Sequence, residues 1–302
     1  MASVKVQVDR KPMDFAAARA PIWCPGCGDY GILEALRRAL AEVGARNEDV
    51  VLVSGIGCSS QLPHFMKTYG VHGIHGRILP VATAIKISNP RLTVIGVGGD
   101  GDGYGIGLNH FLHAARRNVG VVYIVSNNQV YGLTTGQMSP TTLKGVKTKT
   151  TPYGSIDSPV NPLALALSAG ATFVARGFSG DVAHLAQIVS EALRHRGFAL
   201  VDVLSPCVTF NRINTYDWFR ARVYKLESAG HDPADFEQAY RRALEWPTLD
   251  PYGKIPIGVF YRREDLPAYE EEVARLIGGR SPSEAPLELT KEQLAELMSH
   301  FG

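Results

Sequence analysis

The residues with the most to offer chemically are four cysteines and one aspartate set among glycines. Cys24 and Cys27 form Cys-Pro-Gly-Cys, Cys58 follows Gly55-Ile56-Gly57, and Cys207 follows Ser205-Pro206. Four thiolates suit zinc or an iron–sulfur cluster, whereas a lone Cys-x-x-Cys can be a redox dithiol. Structural zinc sites usually use two such pairs, and the second pair is missing here. Widely separated ligands favour a [4Fe–4S] cluster built into a preformed fold. From the residues alone, cluster, zinc site and unrelated cysteines all stand open.

The second group is Gly96-Val97-Gly98-Gly99-Asp100-Gly101, which formally satisfies the dinucleotide pattern GxGxxG. Asp100 argues against that reading, because a carboxylate would repel a pyrophosphate. So does Ser126-Asn127-Asn128, which stands where a ribose-binding acid is expected. A divalent cation between Asp100 and phosphate removes both objections, since Mg²⁺ shares hard oxygen ligands between protein and phosphates. Gly99, Gly101 and Gly103 would free backbone N–H groups to cradle those phosphates. Gly-Asp-Gly followed by paired Asn resembles the thiamine diphosphate motif. The plain alternative is a glycine-rich turn with a capping Asp.

Strands must end where this chemistry begins. Val50-Val51-Leu52-Val53 is a buried-strand run, residues 92–97 are a second and residues 119–125 a third. Between them Ile32, Leu36, Leu40 and Val43 share a helix face behind Asp29 as N-cap. Residues 81–88 form a short helix. Leu108, Phe111, Leu112 and Ala115 mark the next. After a long loop at 129–160 come a helix at 162–169, a strand at 172–175, a helix at 181–195 and a strand at 199–204. This alternation predicts an α/β fold, a parallel sheet with helices on both faces. Asp100 and Asn128 then converge at the carboxyl edge, where such sheets bind ligands.

Residues 1–20 read as an N-terminal arm, 21–210 as the α/β domain and 211–302 as a C-terminal tail in contact with another subunit. The tail is aromatic (Trp218, Trp246, Tyr252, Phe260, Tyr261), with helices near 265–277 and 290–300. The chain has 302 residues, 45% of them hydrophobic and 20% charged, enough for a sizeable core and too apolar for wholesale disorder. A net charge of +2 without a dense basic run excludes a nucleic-acid footprint. Apolar runs fall short of a membrane span of ~20 residues. No apolar signal core opens the chain, so a cytoplasmic location is expected, where cysteines serve as ligands more often than as disulfides.

Together these motifs resemble the β subunit of 2-oxoacid:ferredoxin oxidoreductases, the thiamine diphosphate and iron–sulfur enzymes that act on pyruvate or 2-oxoglutarate. The resemblance covers roughly residues 20–215. It rests on Trp23-Cys24-Pro25-Gly26-Cys27-Gly28, Gly55-Ile56-Gly57-Cys58-Ser59-Ser60, His75-Gly76-Arg77, Gly99-Asp100-Gly101-Asp102, Asn127-Asn128-Gln129-Val130-Tyr131-Gly132-Leu133-Thr134, Ser139-Pro140-Thr141 and Ser205-Pro206-Cys207. It implies a thiamine-diphosphate-binding, pyrophosphate-type fold with a C-terminal extension. It implies that Cys24, Cys27, Cys58 and Cys207 hold one [4Fe–4S] cluster, and that Asp100, Asn128 and the Val130 carbonyl bind Mg²⁺. Gly101 and Asp102, beside Gly99, would contact the diphosphate. Ile56, Gly57, Cys58, Ser59, His75, Gly132 and Leu133 would line the cofactor, with His75 and Cys58 as catalytic candidates. For His75 a hydrogen-bonded core histidine is the plain alternative.

The implied reaction is coenzyme A-dependent oxidative decarboxylation of a 2-oxo acid to acyl-CoA and CO₂. Electrons pass through the cluster to ferredoxin, and reductive carboxylation is the reverse. Gln61 and Thr135 stand where the family often carries a cation for a second substrate carboxylate. Neutral residues there weaken the case for 2-oxoglutarate unless a partner supplies charge. Only one α/β unit is present, so the pyrimidine-binding domain is expected on an α subunit, often fused to a γ domain. The tail and the 129–160 loop would meet it in an obligate hetero-oligomer. The rivals are a non-redox thiamine diphosphate decarboxylase or synthase, a nicotinamide-dependent dehydrogenase with zinc, and an iron–sulfur binding module.

Overall fold

The computed structural model describes residues 10–247, 250, 252–284 and 288–301. Its strands are β1 (Val50–Ser54), β2 (Tyr69–His72), β3 (Thr93–Gly99), β4 (Val121–Asn127), β5 (Val130–Tyr131), β6 (Gln137–Met138), β7 (Phe173–Phe178), β8 (Ala199–Leu204), β9 (Val223–Lys225) and β10 (Ile255–Arg262). Its helices are α1 (Asp29–Glu42), α2 (Ile78–Ser88), α3 (Leu108–Arg117), α4 (Pro162–Ser168), α5 (Val182–Arg194), α6 (Tyr216–Arg220), α7 (Phe236–Ala243), α8 (Tyr269–Leu276) and α9 (Lys291–Ser299). Eight strands form one sheet in the order β2-β1-β3-β4-β8-β7-β10-β9, and β5 pairs with β6 apart from it.

From β2 to β7 every pairing is parallel, and β10 joins β7 antiparallel. β1, β4, β7 and β8 are buried along their whole length, as strands covered on both faces must be. Alternate side chains divide between two apolar layers. Val122 and Ile124 pack with Leu36 of α1 and Ile188 of α5. Val121, Tyr123 and Val125 pack with Ile78 of α2, Phe111 of α3 and Leu163 of α4.

Several elements depart from the sequence reading. Asp29 is not the N-cap of α1; that position belongs to Gly28. The Asp29 carboxylate is buried and accepts a hydrogen bond from Ser126 Oγ at 2.7 Å. β2 is an extra edge strand whose four residues are all exposed, so it carries no apolar signal. The segment after 210, expected as a tail, places β9 and β10 in the main sheet, which therefore crosses that boundary. In the expected arm, residues 1–9 lie outside the described residues. Phe15 is fully buried, fixed by Lys67 N–H donating to its carbonyl at 2.9 Å. No described helix is long and apolar enough to cross a membrane.

Candidate functional site

β3 and β4 are neighbours, so their carboxyl ends bring Asp100 and Asn128 to the same edge. A cavity of about 550 Å³ opens there. Ile56, Gly57, Cys58, Ser59, His75, Gly99, Asp100, Gly101, Asp102, Asn128, Val130, Gly132 and Leu133 all line it. Five further wall residues, Tyr131, Thr134, Gln137, Met138 and Thr150, come from β5, β6 and the loops that follow them.

Asp100 is buried without a basic partner among the described residues. Its Oδ2 accepts hydrogen bonds from Ser139 Oγ and Thr141 Oγ1, each at 2.5 Å. Burial pushes its pKa up to about 6 against the pull of those hydroxyls. Gly101 must lack a side chain, because a Cβ would lie 2.1 Å from the Tyr131 ring. Asn128 Oδ1 accepts from Val130 N–H at 3.1 Å, which shapes the turn carrying the Val130 carbonyl. Carboxylate, amide and carbonyl oxygens are the donor set Mg²⁺ takes.

Asp102 does something the sequence did not show. Its Oδ1 accepts from Ile56 N–H at 3.0 Å and Gly76 N–H at 2.8 Å. That oxygen ties the loops after β1 and β2 to the turn after β3, while Asp102 Oδ2 is buried without a hydrogen-bond partner among the described residues. His75 Nδ1 is 2.9 Å from Asp102 Oδ1, too bent for a hydrogen bond. The ring is about a third exposed, so His75 is a wall residue and not a core histidine.

The loop that carries Cys24 and Cys27 is bonded to both of the other cysteine-bearing loops. Trp23 Nε1 donates to the Cys58 carbonyl at 2.7 Å, and Gly28 N–H donates to the Pro206 carbonyl at 3.1 Å. All four thiols are free. A Cβ on Gly132 would lie 3.6 Å from Cys207 Sγ, 3.7 Å from Cys58 Sγ and 3.9 Å from Asn128 Nδ2. Gly132 is thus a bare stretch of backbone between two thiols and the proposed magnesium ligand. Burial pushes the Cys58 thiol up to about 12, with Asp29 and then Cys207 and Cys24 adding to it. Cys27, donating to Asp29 Oδ2 at 3.5 Å, is pushed higher still, chiefly by burial. Among the described residues no three His, Cys, Asp or Glu side chains surround a point as they would one metal ion. A cube of four irons needs a wider cradle than a single zinc.

Gln61 and Thr135 are not among the cavity walls. A cation nevertheless reaches Thr135: Lys149 Nζ donates to its Oγ1 at 3.0 Å. The sequence reading missed Lys149 because 14 residues separate it from Thr135 and only the loop's fold-back joins them.

Comparison with known proteins bears on the family and the fold. The family described as "Thiamine pyrophosphate enzyme, C-terminal TPP binding domain" matches residues 55–203. The family of the C-terminal part of the pyruvate ferredoxin oxidoreductase beta chain matches residues 207–277. Fold and site therefore define a thiamine diphosphate-binding enzyme domain. The chain is 49% identical over 273 residues to the 2-oxoacid:ferredoxin oxidoreductase subunit beta of Saccharolobus solfataricus, covering 86% of this chain and 87% of that one. It is 49% identical over 202 residues to 2-oxoglutarate oxidoreductase subunit KorB of Mycobacterium tuberculosis, covering 67% and 54%. A solved 2-oxoglutarate:ferredoxin oxidoreductase from Magnetococcus marinus, with 2-oxoglutarate, coenzyme A and succinyl-CoA bound, superposes with a TM-score of 0.88. It is 38% identical and is covered, like this chain, to 97%. The chain belongs to the β-subunit family of the 2-oxoacid:ferredoxin oxidoreductases.

Proposed function

We propose that this β subunit, with an α or fused α/γ partner, oxidatively decarboxylates a 2-oxo acid to acyl-CoA and passes the electrons to ferredoxin. The observation that carries this reading is the shared boundary of cavity and thiols: Cys58 lines the cavity, and a Cβ on Gly132, another wall residue, would meet both Cys58 and Cys207. When bound, thiamine diphosphate supplies the electron sink for decarboxylation, and a [4Fe–4S] cluster supplies the one-electron acceptor.

This chain's residues then have separable tasks. Asp100, Asn128 and the Val130 carbonyl would hold Mg²⁺, and the glycines at 99 and 101 would admit the diphosphate. Cys24, Cys27, Cys58 and Cys207 would hold the cluster. Asp102 keeps the Ile56 and Gly76 loops in place as walls. His75 faces the cavity beside Tyr131, with ring centroids 6.2 Å apart, and would be the catalytic candidate toward a bound acid there. Ile56, Leu133 and Met138 line the cavity with apolar surface and limit water.

Ferredoxin and coenzyme A are the further partners, and the cytoplasm the expected location. The test is anaerobic purification with the partner subunit, then iron, zinc and thiamine analysis beside viologen reduction by pyruvate and by 2-oxoglutarate. Iron and thiamine with acid-dependent reduction support the reading. Thiamine without iron and without dye reduction would leave a non-redox decarboxylase.

A further inference from the structure

A line of buried polar groups joins the cavity wall to the interior of the sheet. Thr141 Oγ1 lies 2.5 Å from Asp100 Oδ2 and 2.9 Å from Asn127 Oδ1. Asn127 Nδ2 donates to Asp202 Oδ1 at 3.0 Å, and Tyr104 OH donates to the same oxygen at 3.0 Å. Arg176 Nε donates to Asp202 Oδ2 at 3.2 Å. All six residues are at most 1% exposed. Arg176, Asp202 and Asn127 sit on β7, β8 and β4, consecutive strands of the sheet, and Asp100 follows β3 beside them.

The hydrogens fix directions along this line. An Asp202 carboxylate only accepts, so Asn127 must turn its Nδ2 toward it and its Oδ1 toward Thr141. Thr141 then has one hydroxyl hydrogen facing two acceptors, Asn127 Oδ1 and Asp100 Oδ2. At the far end, Arg176 Nη1 and Nη2 have no hydrogen-bond partner among the described residues. The rings of Trp246 and Phe260 cover the guanidinium at 4.8 and 5.6 Å, a cation–π arrangement. A buried ion pair adds little stability over well-packed apolar residues. Its place in this line gives it a different use.

We propose that Arg176 and Asp202 are positioning residues for the metal–diphosphate end of the site. They lock the Asn127 amide, which sets the Thr141 hydroxyl and so the orientation of the Asp100 carboxylate. Trp246 and Phe260 hold the guanidinium in place, so residues beyond 210 govern the affinity of a site they do not line. The proposal rests on the reading of Asp100 as a magnesium ligand.

The test uses the assembled enzyme, stripped of divalent ions and thiamine diphosphate by chelation and dialysis. Affinity for Mg²⁺ at saturating thiamine diphosphate is read by calorimetry. The double variant Arg176→Met with Asp202→Asn leaves no lone buried charge. It is expected to bind Mg²⁺ about tenfold more weakly, with KM for the 2-oxo acid unchanged. Thr141→Val should do the same, and Thr141→Ser, which keeps the hydroxyl, should restore binding. Trp246→Leu uncovers Arg176 without altering the sheet and should weaken Mg²⁺ binding by a smaller factor. This last variant decides the matter if the double variant does not assemble. Unchanged Mg²⁺ affinity in the double variant, or in Trp246→Leu, overturns the proposal even if melting temperatures fall. A wild-type enzyme that binds no thiamine diphosphate removes the Asp100 reading and the proposal with it.

Discussion

At the carboxyl edge of the sheet, Asp29, Asp100 and Asp102 are each at most 2% exposed. Among the described residues only Asp102 has a basic group beside it, His75. At the amino edge Glu270 is buried too, but Lys86 Nζ lies 3.8 Å away, and Arg196 grips Glu271 next to it. An unpaired buried carboxylate costs several kcal/mol. One edge is therefore complete in itself, and the other keeps a deficit of positive charge that a cation would fill. Buried carboxylates left without cations beside a cavity are functional-site candidates, whereas the pairs at Glu270 and Glu271 serve the fold.

The strongest way to break that contrast is Asp100→Asn. Removing the unpaired carboxylate should lower dye reduction by more than about a hundredfold, while the stripped protein melts no lower than wild type. A large fall in its melting temperature would show Asp100 to be structural. Cys58→Ser is next. Iron content should drop from about four per chain and visible absorbance should vanish, while Mg²⁺ and thiamine diphosphate still bind. Loss of both cofactors together would count against separate sites.

At the amino edge the effects should appear in stability alone. Glu270→Gln keeps an acceptor for Gly120 N–H, which Glu270 Oε2 now takes at 3.0 Å, but strips Lys86 of its counter-charge. Denaturant unfolding should show a loss of about 1–3 kcal/mol, with KM and kcat unchanged. Lys149→Ala sharpens the picture one residue before Thr150 of the cavity wall, where Lys149 has no carboxylate partner among the described residues. KM for 2-oxoglutarate should rise roughly tenfold, the worth of one charge-assisted hydrogen bond, and KM for pyruvate should stay put. Equal changes for both acids would remove Lys149 from specificity.

The smallest effect concerns His195, also at the amino edge, whose Nε2 lies 2.8 Å from Thr172 Oγ1. Burial holds its pKa down from 6.5 to about 4. A folded-state pKa below the unfolded one means that protonation favours the unfolded chain. The contribution is fully present above about pH 6.5 and is lost as pH falls toward 4. The melting-temperature difference between wild type and His195→Gln should narrow over that window. A constant difference would show that His195 does not titrate in it.

The parallel sheet was legible because strand runs such as 199–204 are uninterrupted, and β8 has those bounds; its strand order was not, because it rests on crossovers that no local run records. β7 was cut short at Ala175 because Arg176 looks like a surface residue until Asp202 is seen opposite it. β10 was missed because Pro256 and Gly258 break its apolar run. In the cavity, Asp100, Asn128 and the glycines were legible from local spacing. Ser139 and Thr141 as clamps on Asp100, and Asp29 between Cys27 and Ser126, were not. Those contacts join residues 39 to 97 positions apart, apart from Cys27 and Asp29 themselves.

The antiparallel pairing of β10 with β7 also bears on how the chain is made. Residues 173–178 pair with β8 on one edge, and only residues 255–262, made much later, cover the other. A ribosome moving at about 5–20 residues per second leaves that edge open for several seconds. An open edge is a template for pairing with another chain. Nascent copies on one message are therefore at greatest risk of sticking together in the interval before residue 262 emerges.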